Sequence, residues 1–238
     1  MFFLYKYLLK LKIFHKKIFS KKNYFSFSGV DVIIENIFRN KNDGFYIDIG
    51  CQHPIKNNNT YLLHSKGWKG INIDLDIDNI NLFNAARPLD DNIHSAVSNK
   101  FGIEELYFYH KKSPINTLNR NVSKFQKAEV KDIRKITTTT LNSIIANSKF
   151  KDKKFNLLSI DVEGHELNVL EGLDFNLYSP DVIVLEFLDL SVNNLEVKNL
   201  NINNVINSDL FKFLVSRDYT LVNCIYSDLI FIKKEFRD

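Results

Sequence analysis

The sequence predicts an α/β fold built on an open, mainly parallel sheet. Three observations carry this. Phe45 to Gly50 is a short apolar run that ends in an acid, an apolar residue and a glycine. A second alternating run, Gly70 to Asp74, ends in an acid one β-α-β length further on. Phe155 to Asp161 and Asp181 to Glu186 are nearly continuous apolar runs, as expected of central strands covered on both faces.

Taken in order, Met1 to Lys22 alternates bulky apolar residues with lysine. The lysines break every apolar run well short of a membrane span, and no small-residue cleavage site follows. A basic stretch with Phe and Leu on its other side suits a membrane surface; a solvated terminal helix packed on its own domain is the plain alternative. Residues 1–30 are therefore set apart as a basic helical extension, and 31–238 as the folded domain. Asp31 to Phe38 is expected to be a short amphipathic helix, and Phe45 to Ile49 the first strand. Asn59 or Thr60 is expected to cap a helix through Tyr61 to His64 that stops at Gly67.

Asn92 to Val97 is expected to be a third strand and Glu104 to Tyr109 another. Lys111 to Ile136 is polar and weakly periodic, and is read as an insertion over the mouth of a site or a solvated loop. A helix follows from Leu141, and another after Glu166 with Leu167, Leu170 and Leu173 on one side. Leu188 to Asn207 is Asn-rich and read as loop. Ser208 should cap the next helix. Tyr219 to Cys224 and Leu229 to Ile232 should close the sheet as an antiparallel hairpin.

Composition narrows the function. The net charge is +4, but residues 1–22 hold seven lysines and no acid; the remainder carries 25 basic and 28 acidic residues. The body therefore lacks the distributed positive charge of a nucleic-acid binder. The two cysteines, Cys51 and Cys224, form neither a disulfide framework nor a metal-ligand spacing, which suits a reducing, cytoplasmic setting.

The chain resembles the FkbM family of S-adenosylmethionine-dependent methyltransferases over about 45–233. The segments that carry the likeness are Phe-Tyr-Ile-Asp-Ile-Gly at 45–50, Asn-Thr-Tyr at 59–61, Lys-Gly-Trp-Lys-Gly-Ile-Asn-Ile-Asp at 66–74 and Ala-Val-Ser-Asn-Lys-Phe-Gly at 96–102. Leu-Ser-Ile-Asp-Val-Glu-Gly-His-Glu at 158–166 and Pro-Asp-Val-Ile-Val-Leu-Glu at 180–186 complete the set. The resemblance implies the class I methyltransferase (Rossmann-like) fold, a three-layer sandwich with a seven-stranded, mainly parallel sheet and a C-terminal β-hairpin. It implies O-methylation of a sugar, a glycan or a similar small polar acceptor, with S-adenosylmethionine as cofactor. By position, Asp48 and Gly50 would line the cofactor's methionine end, Asp74 would lie by the ribose and Ser95 and Ala96 by the adenine, with Cys51 and Asn59 also expected among the cofactor-binding residues. Asp161 would face the methyl donor, and Glu163 and His165 would border the acceptor.

Gln52 stands where many relatives carry a second glycine. That departure disfavours a pyrophosphate cradle more than it disfavours a cofactor without phosphates. His165 or Glu163 is the expected general base, with Asp161 aligning the reactants and His53 as a further candidate. No resident metal is expected; a metal-assisted route through Asp161 and Glu186 is the alternative. A nicotinamide-dependent oxidoreductase and a non-catalytic binding module of the same fold are the competing readings of the whole.

Overall fold

The structure is a computed structural model that describes residues 24–111, 113–192 and 199–237. In chain order its strands are β1 (Phe45–Ile49), β2 (Lys69–Asp74), β3 (Asp91–His94), β4 (Ala96–Val97), β5 (Gly102–Phe108), β6 (Asp132–Thr139), β7 (Leu157–Ile160), β8 (Val182–Glu186), β9 (Tyr219–Ile225) and β10 (Asp228–Lys233). The helices are α1 (Val30–Ile37), α2 (Tyr61–Ser65), α3 (Ile77–Ala86), α4 (Arg120–Phe125), α5 (Leu141–Asn147), α6 (Glu166–Glu171), α7 (Ile202–Asn207), α8 (Asp209–Val215) and α9 (Lys234–Arg237).

The main sheet has the order β3-β2-β1-β7-β8-β10-β9. All its pairings are parallel except those of β10, which runs antiparallel to both β8 and β9. This is the mixed α/β, Rossmann-like arrangement with a closing hairpin. The order reverses between β1 and β7, the point where open α/β sheets bind ligands at the carboxyl ends of their strands.

Side chains alternate across each strand, so each face acquires its own core. Ile47, Ile49, Ile71, Ile73, Leu158, Ile160, Ile183 and Leu185 pack on one face with residues of α5, α6, α7 and α8. Tyr46, Leu157, Val182, Val184 and Ile230 pack on the other with α1 and α2, around Trp68. Burying one such aliphatic side chain contributes about 1.5–3 kcal/mol, so two complete faces hold the sheet between helices.

Several expectations are corrected in detail. The stretch 92–97 is two strands: Ser95 N–H donates to the Asp74 carbonyl (3.0 Å), the chain bends, and β4 leaves for a small sheet of order β4-β6-β5. The insertion at 111–136 is not all loop; it contains α4 and the start of β6, a strand exposed along most of its length and so without an alternating apolar signal. The Asn-rich 188–207 region contains α7, and α3 was not foreseen. Thr60 does not cap α2 with its side chain, because its hydroxyl is spent on Asp48. Ser208 does cap α8.

Residues 25–29 already belong to the packed body. Phe25 N–H and Ser26 Oγ–H donate to the buried Asp31 carboxylate, and Phe25 C=O accepts from Asn58 N–H. The basic stretch 1–22, with its expected membrane-surface contact, lies outside the described residues. Among the described residues, no helix is long and apolar enough to cross a membrane.

Arg87 follows α3 and is 1% exposed. Its guanidinium donates to Tyr46 Oη (3.0 Å) on β1, Asn72 Oδ1 (3.3 Å) on β2 and Thr60 Oγ1 (2.9 Å) before α2. It also donates to the Pro54 carbonyl (2.6 Å) and Asn58 Oδ1 (2.8 Å). The rings of Phe83, Tyr61 and Tyr46 surround it at 4.9–5.8 Å. A lysine has one charge point and cannot span that fork. We expect Arg87→Lys and Arg87→Met each to destabilise the fold by about 3–5 kcal/mol. Thermal unfolding should register this as a fall in Tm of several degrees or more; an unchanged Tm for Arg87→Lys would show that the fork is not needed.

Candidate active site

The strand register builds the site. Asp48 pairs with Asn72 and Ser159, and Ile160 with Leu185. One step past Ile49 and Ile160, the same register brings Asp74, Gly50, Asp161 and Glu186 to one level across the sheet. Asp228 joins it as the antiparallel partner of Glu186. Adjacent strands are about 4.8 Å apart, so the level sets carboxyls side by side with one glycine among them.

Gly50 has φ +74, and a Cβ built there would lie 1.7 Å from the Asp161 carbonyl oxygen. The glycine is required by this backbone contact between the two halves of the site, not only by a ligand. Asp161 N–H donates to Ile49 O (2.9 Å), and Gly50 and Cys51 N–H both donate to Ile73 O. Gln52 has φ +49, the left-handed region that glycine favours. Its N–H donates to Asp74 Oδ2 (2.9 Å). Asp74 Oδ1 accepts from Asp76 N–H (2.7 Å) and Asn79 Nδ2 (3.2 Å), so this acid also pins the loop after β1.

A cleft of about 850 Å³, including the space at its open mouth, lies over this level. Of the residues expected at the site, Gly50, Asp74, Ser95, Ala96, Asp161, Glu163 and His165 line it. Asp48, Cys51 and Asn59 do not. Asp48 shares the face of Asp161 but sits two residues deeper in its strand, where its carboxylate accepts from Asn58 Nδ2 (3.0 Å) and Thr60 Oγ1 (2.8 Å). Cys51 is buried against Ile80 and Phe83, and Asn59 reaches Ser159 Oγ. His53 is also outside the lining, and its Nδ1 accepts from Ile55 and Lys56 N–H.

The insertion forms part of the wall through Ser113, Pro114, Asn116 and Leu118. It also fixes the loop after β7: Thr117 Oγ1 donates to Glu163 O (2.7 Å) and Asn119 Nδ2 to Gly164 O (2.6 Å). From the other side, Glu166 Oε1 accepts from Val162 and Gly164 N–H, both at 3.1 Å. Glu166 is thus a loop anchor. His165 is buried, with Nε2 3.0 Å from Ser98 Oγ and 3.6 Å from Glu104. Asn79, Asn116 and Ser113 carry no sequence signal, whereas Ser98 lies in the Ala-Val-Ser-Asn-Lys-Phe-Gly segment at 96–102.

Electrostatically the acceptor half is unbalanced. Burial, then Asp228, Glu166 and Asp48, raise the Asp161 carboxyl above its ordinary range. Burial, Asp161 and Glu166 raise Glu163. Burial followed by four neighbouring acids raises Glu186 well above. Burial lifts Glu166 to about 7 and Asp228 to about 6, against their hydrogen bonds. No ion pair joins any of these five to a lysine or arginine among the described residues. Burial lowers the His165 pKa, so its imidazole is neutral at neutral pH.

Three outcomes follow. Gly50→Ala should cost about 2–4 kcal/mol, because it adds left-handed strain and a backbone clash together; a wild-type denaturation midpoint would refute the contact. A carboxyl whose pKa is raised on folding stabilises the fold below its unfolded pKa, and that stability is lost as pH rises through the folded pKa. Ligand-free protein should therefore lose stability from about pH 5 to 8, across the raised range of Glu166 and Asp228. Glu163→Gln should recover about 1 kcal/mol or more at pH 8, the worth of roughly one pKa unit. A melting curve at pH 8 below wild type would overturn this.

Compared with models of protein families, residues 42–220 match the methyltransferase FkbM domain. No curated protein matches the chain. The family match spans well over half of the sequence, and the chain belongs to the FkbM methyltransferase family.

Proposed function

We propose, with membership of the FkbM methyltransferases as the premise, that the chain transfers a methyl group from S-adenosylmethionine to a hydroxyl of a sugar, glycan or similar small polar acceptor. The observation that carries this is the row across the sheet: one acid to the β2 side of Gly50, and several to the other side. A carboxylate has the acceptor geometry for two neighbouring ribose hydroxyls, and Asp74 stands where the strand order puts a nucleoside. The apolar Ile73, Leu75 and Val97 and the polar Ser95 give that end walls suited to an adenine. The acids beyond Gly50 suit a ligand with positive charge, which a sulfonium carries and a pyrophosphate does not. Ser113 Oγ is buried on the wall and meets no partner, an unspent hydroxyl that a polar ligand would satisfy. These features fit the cofactor.

When bound, S-adenosylmethionine supplies a methyl carbon on a sulfonium; the acceptor oxygen bonds to that carbon as the carbon–sulfur bond breaks and leaves its electron pair on sulfur. The protein has to hold the hydroxyl in line and take its proton. Asp161 and Glu163 are the groups that orient the acceptor. In the ligand-free state their raised pKa values keep them partly protonated, whereas His165 is neutral and has a lone pair to accept with. His165 is accordingly the base favoured on charge, held by Ser98. Beyond Glu186, whose Oε1 accepts from Ser227 Oγ, Phe187, Asp189, Leu200 and Tyr226 line a shallow depression. Aromatic faces beside carboxylates suit a sugar ring, and we assign the acceptor to this side.

The test is incubation with methyl-labelled S-adenosylmethionine and a panel of sugars and glycan precursors. Label should move to an acceptor oxygen. Asp74→Ala should abolish cofactor binding in a calorimetric titration, and His165→Ala should lower turnover about 10²-fold or more with cofactor binding kept. Full turnover in both His165→Ala and Glu163→Gln would remove the base assignment; label on nitrogen or carbon would remove the O-methyl reading.

A further inference from the structure

We propose that Glu104 is a positioning residue for His165: it holds the imidazole as the Nε2–H tautomer and leaves Nδ1 as the atom that takes the acceptor's proton. The inference deepens the reading of His165 as general base and rests on it.

The small sheet supplies the geometry. Side chains alternate along β5, so Ile103 and Glu105 are exposed while Glu104 between them is half-buried. Glu104 Oε2 lies 3.6 Å from His165 Nε2. That is too far for a hydrogen bond but near enough for the charge to act on the ring. The other oxygen is held from β6, where the buried Thr138 Oγ1 sits between Lys100 O (3.2 Å) and Glu104 Oε1 (3.5 Å). Ser98, just beyond β4, is fully buried; its N–H donates to Thr139 O (2.8 Å) and its Oγ lies 3.0 Å from the same Nε2. All three strands of the small sheet thus bear on one ring nitrogen.

Ser98 alone does not decide the tautomer, because a hydroxyl both donates and accepts. The Glu104 carboxylate does: a lone pair on Nε2 would face negative charge, whereas an N–H is attracted to it. His165 stands at the start of α6, but its side chain caps no helix N–H, and among the described residues no protein group bonds Nδ1. The ring lines the cleft, so Nδ1 is the nitrogen left for a ligand. In the transfer the acceptor O–H bond breaks and its proton goes to the Nδ1 lone pair. The oxygen's electrons form the bond to the methyl carbon as sulfur keeps the carbon–sulfur pair. The imidazolium so formed presents Nε2–H to Glu104, whose charge opposes the effect of burial on the ring. Glu171, on α6, acts in the same direction behind Glu104, and also accepts from Asn99 Nδ2 (3.0 Å).

The experiment is a long-range ¹H–¹⁵N correlation spectrum of the whole chain with ¹⁵N-labelled histidine, recorded across a pH titration. The His165 signal, one of six histidines, is the one lost in His165→Ala. We expect the Nε2–H tautomer in the wild type at neutral pH. Glu104→Gln should mix the tautomers and move the His165 midpoint to lower pH, since it removes the charge that favours the imidazolium. The acid limb of kcat against pH should move the same way, with kcat down about tenfold, short of the 10²–10⁴-fold that a whole base supplies. Glu104 is half-buried and glutamine has its shape, so the variant should fold, and thermal melting checks that it does. Ser98→Ala, which leaves the carboxylate in place, should keep the Nε2–H tautomer. An Nδ1–H tautomer in the wild type overturns the proposal. So does a Glu104→Gln protein whose Tm alone changes, or a tautomer switch in Ser98→Ala, which would make the serine the deciding group. Full turnover in His165→Ala with the expected spectra removes the base and leaves Glu104 as the group that orients the ring. Turnover lost in His165→Ala with spectra indifferent to Glu104→Gln does the reverse.

Discussion

One level of the parallel sheet governs the site. Where β1, β2, β7 and β8 run out together, register alone decides which side chains meet. Asp161 faces Glu186 because Ile160 faces Leu185, and Gly50 must be glycine because the Asp161 carbonyl occupies the place of its Cβ. A one-residue slip of β7 would turn Asp161 to the opposite face and put an aliphatic side chain in its place. The two apolar faces that prevent such a slip therefore also position the chemistry. Packing and function are fixed by the same pairings.

The loop over that level is hung on a buried cation. Arg87 joins the loop at Pro54 and Asn58 to strands β1 and β2, and Asn58 and Thr60 in turn hold the Asp48 carboxylate. Burial raises the Asp48 pKa, and the Arg87 charge opposes that rise. Asp90 completes the group: burial would raise its pKa, but hydrogen bonds from His64, Tyr46 and Asn72 hold it below the ordinary range. Asp48 is thereby held below the cleft by Asn58 and Thr60 and braces the loop over it.

Most of the sheet was legible because buried strands leave long apolar runs with abrupt polar ends. Phe45 to Ile49 matches β1, and the closing hairpin falls where the two runs around Ser227 put it. Exposed β6 gave no such run, and α3 was hidden because Asn79, Asn81 and Asn84 interrupt its apolar residues. The acids that line the cleft were legible where an acid ends a strand, at Asp74 and Asp161; Asp48 stands two residues too early to line it. Arg87 was invisible: an arginine at a helix end before a proline reads as a surface cation, and nothing local announces burial. Ser98 acts through His165, a partner distant in sequence, which no single stretch can reveal.

The acids also constrain what the cleft can bind. Asp161, Glu163 and Glu186 crowd together at a cost to the ligand-free fold, and a structure selected only for stability would replace at least one of them with an amide. The neighbouring Asp48 shows that this protein does neutralise a buried acid when the acid is structural, with two side-chain donors and an arginine close by. Among the described residues, Glu186 has Ser227 and the neighbouring Asp161 carboxyl, and no cation. The contrast separates acids that serve the fold from acids left for a ligand, and the charge of that ligand follows. The positive charge of the proposed sulfonium, brought to the level of Gly50, would relieve that repulsion. A neutral acceptor alone would leave the repulsion in place.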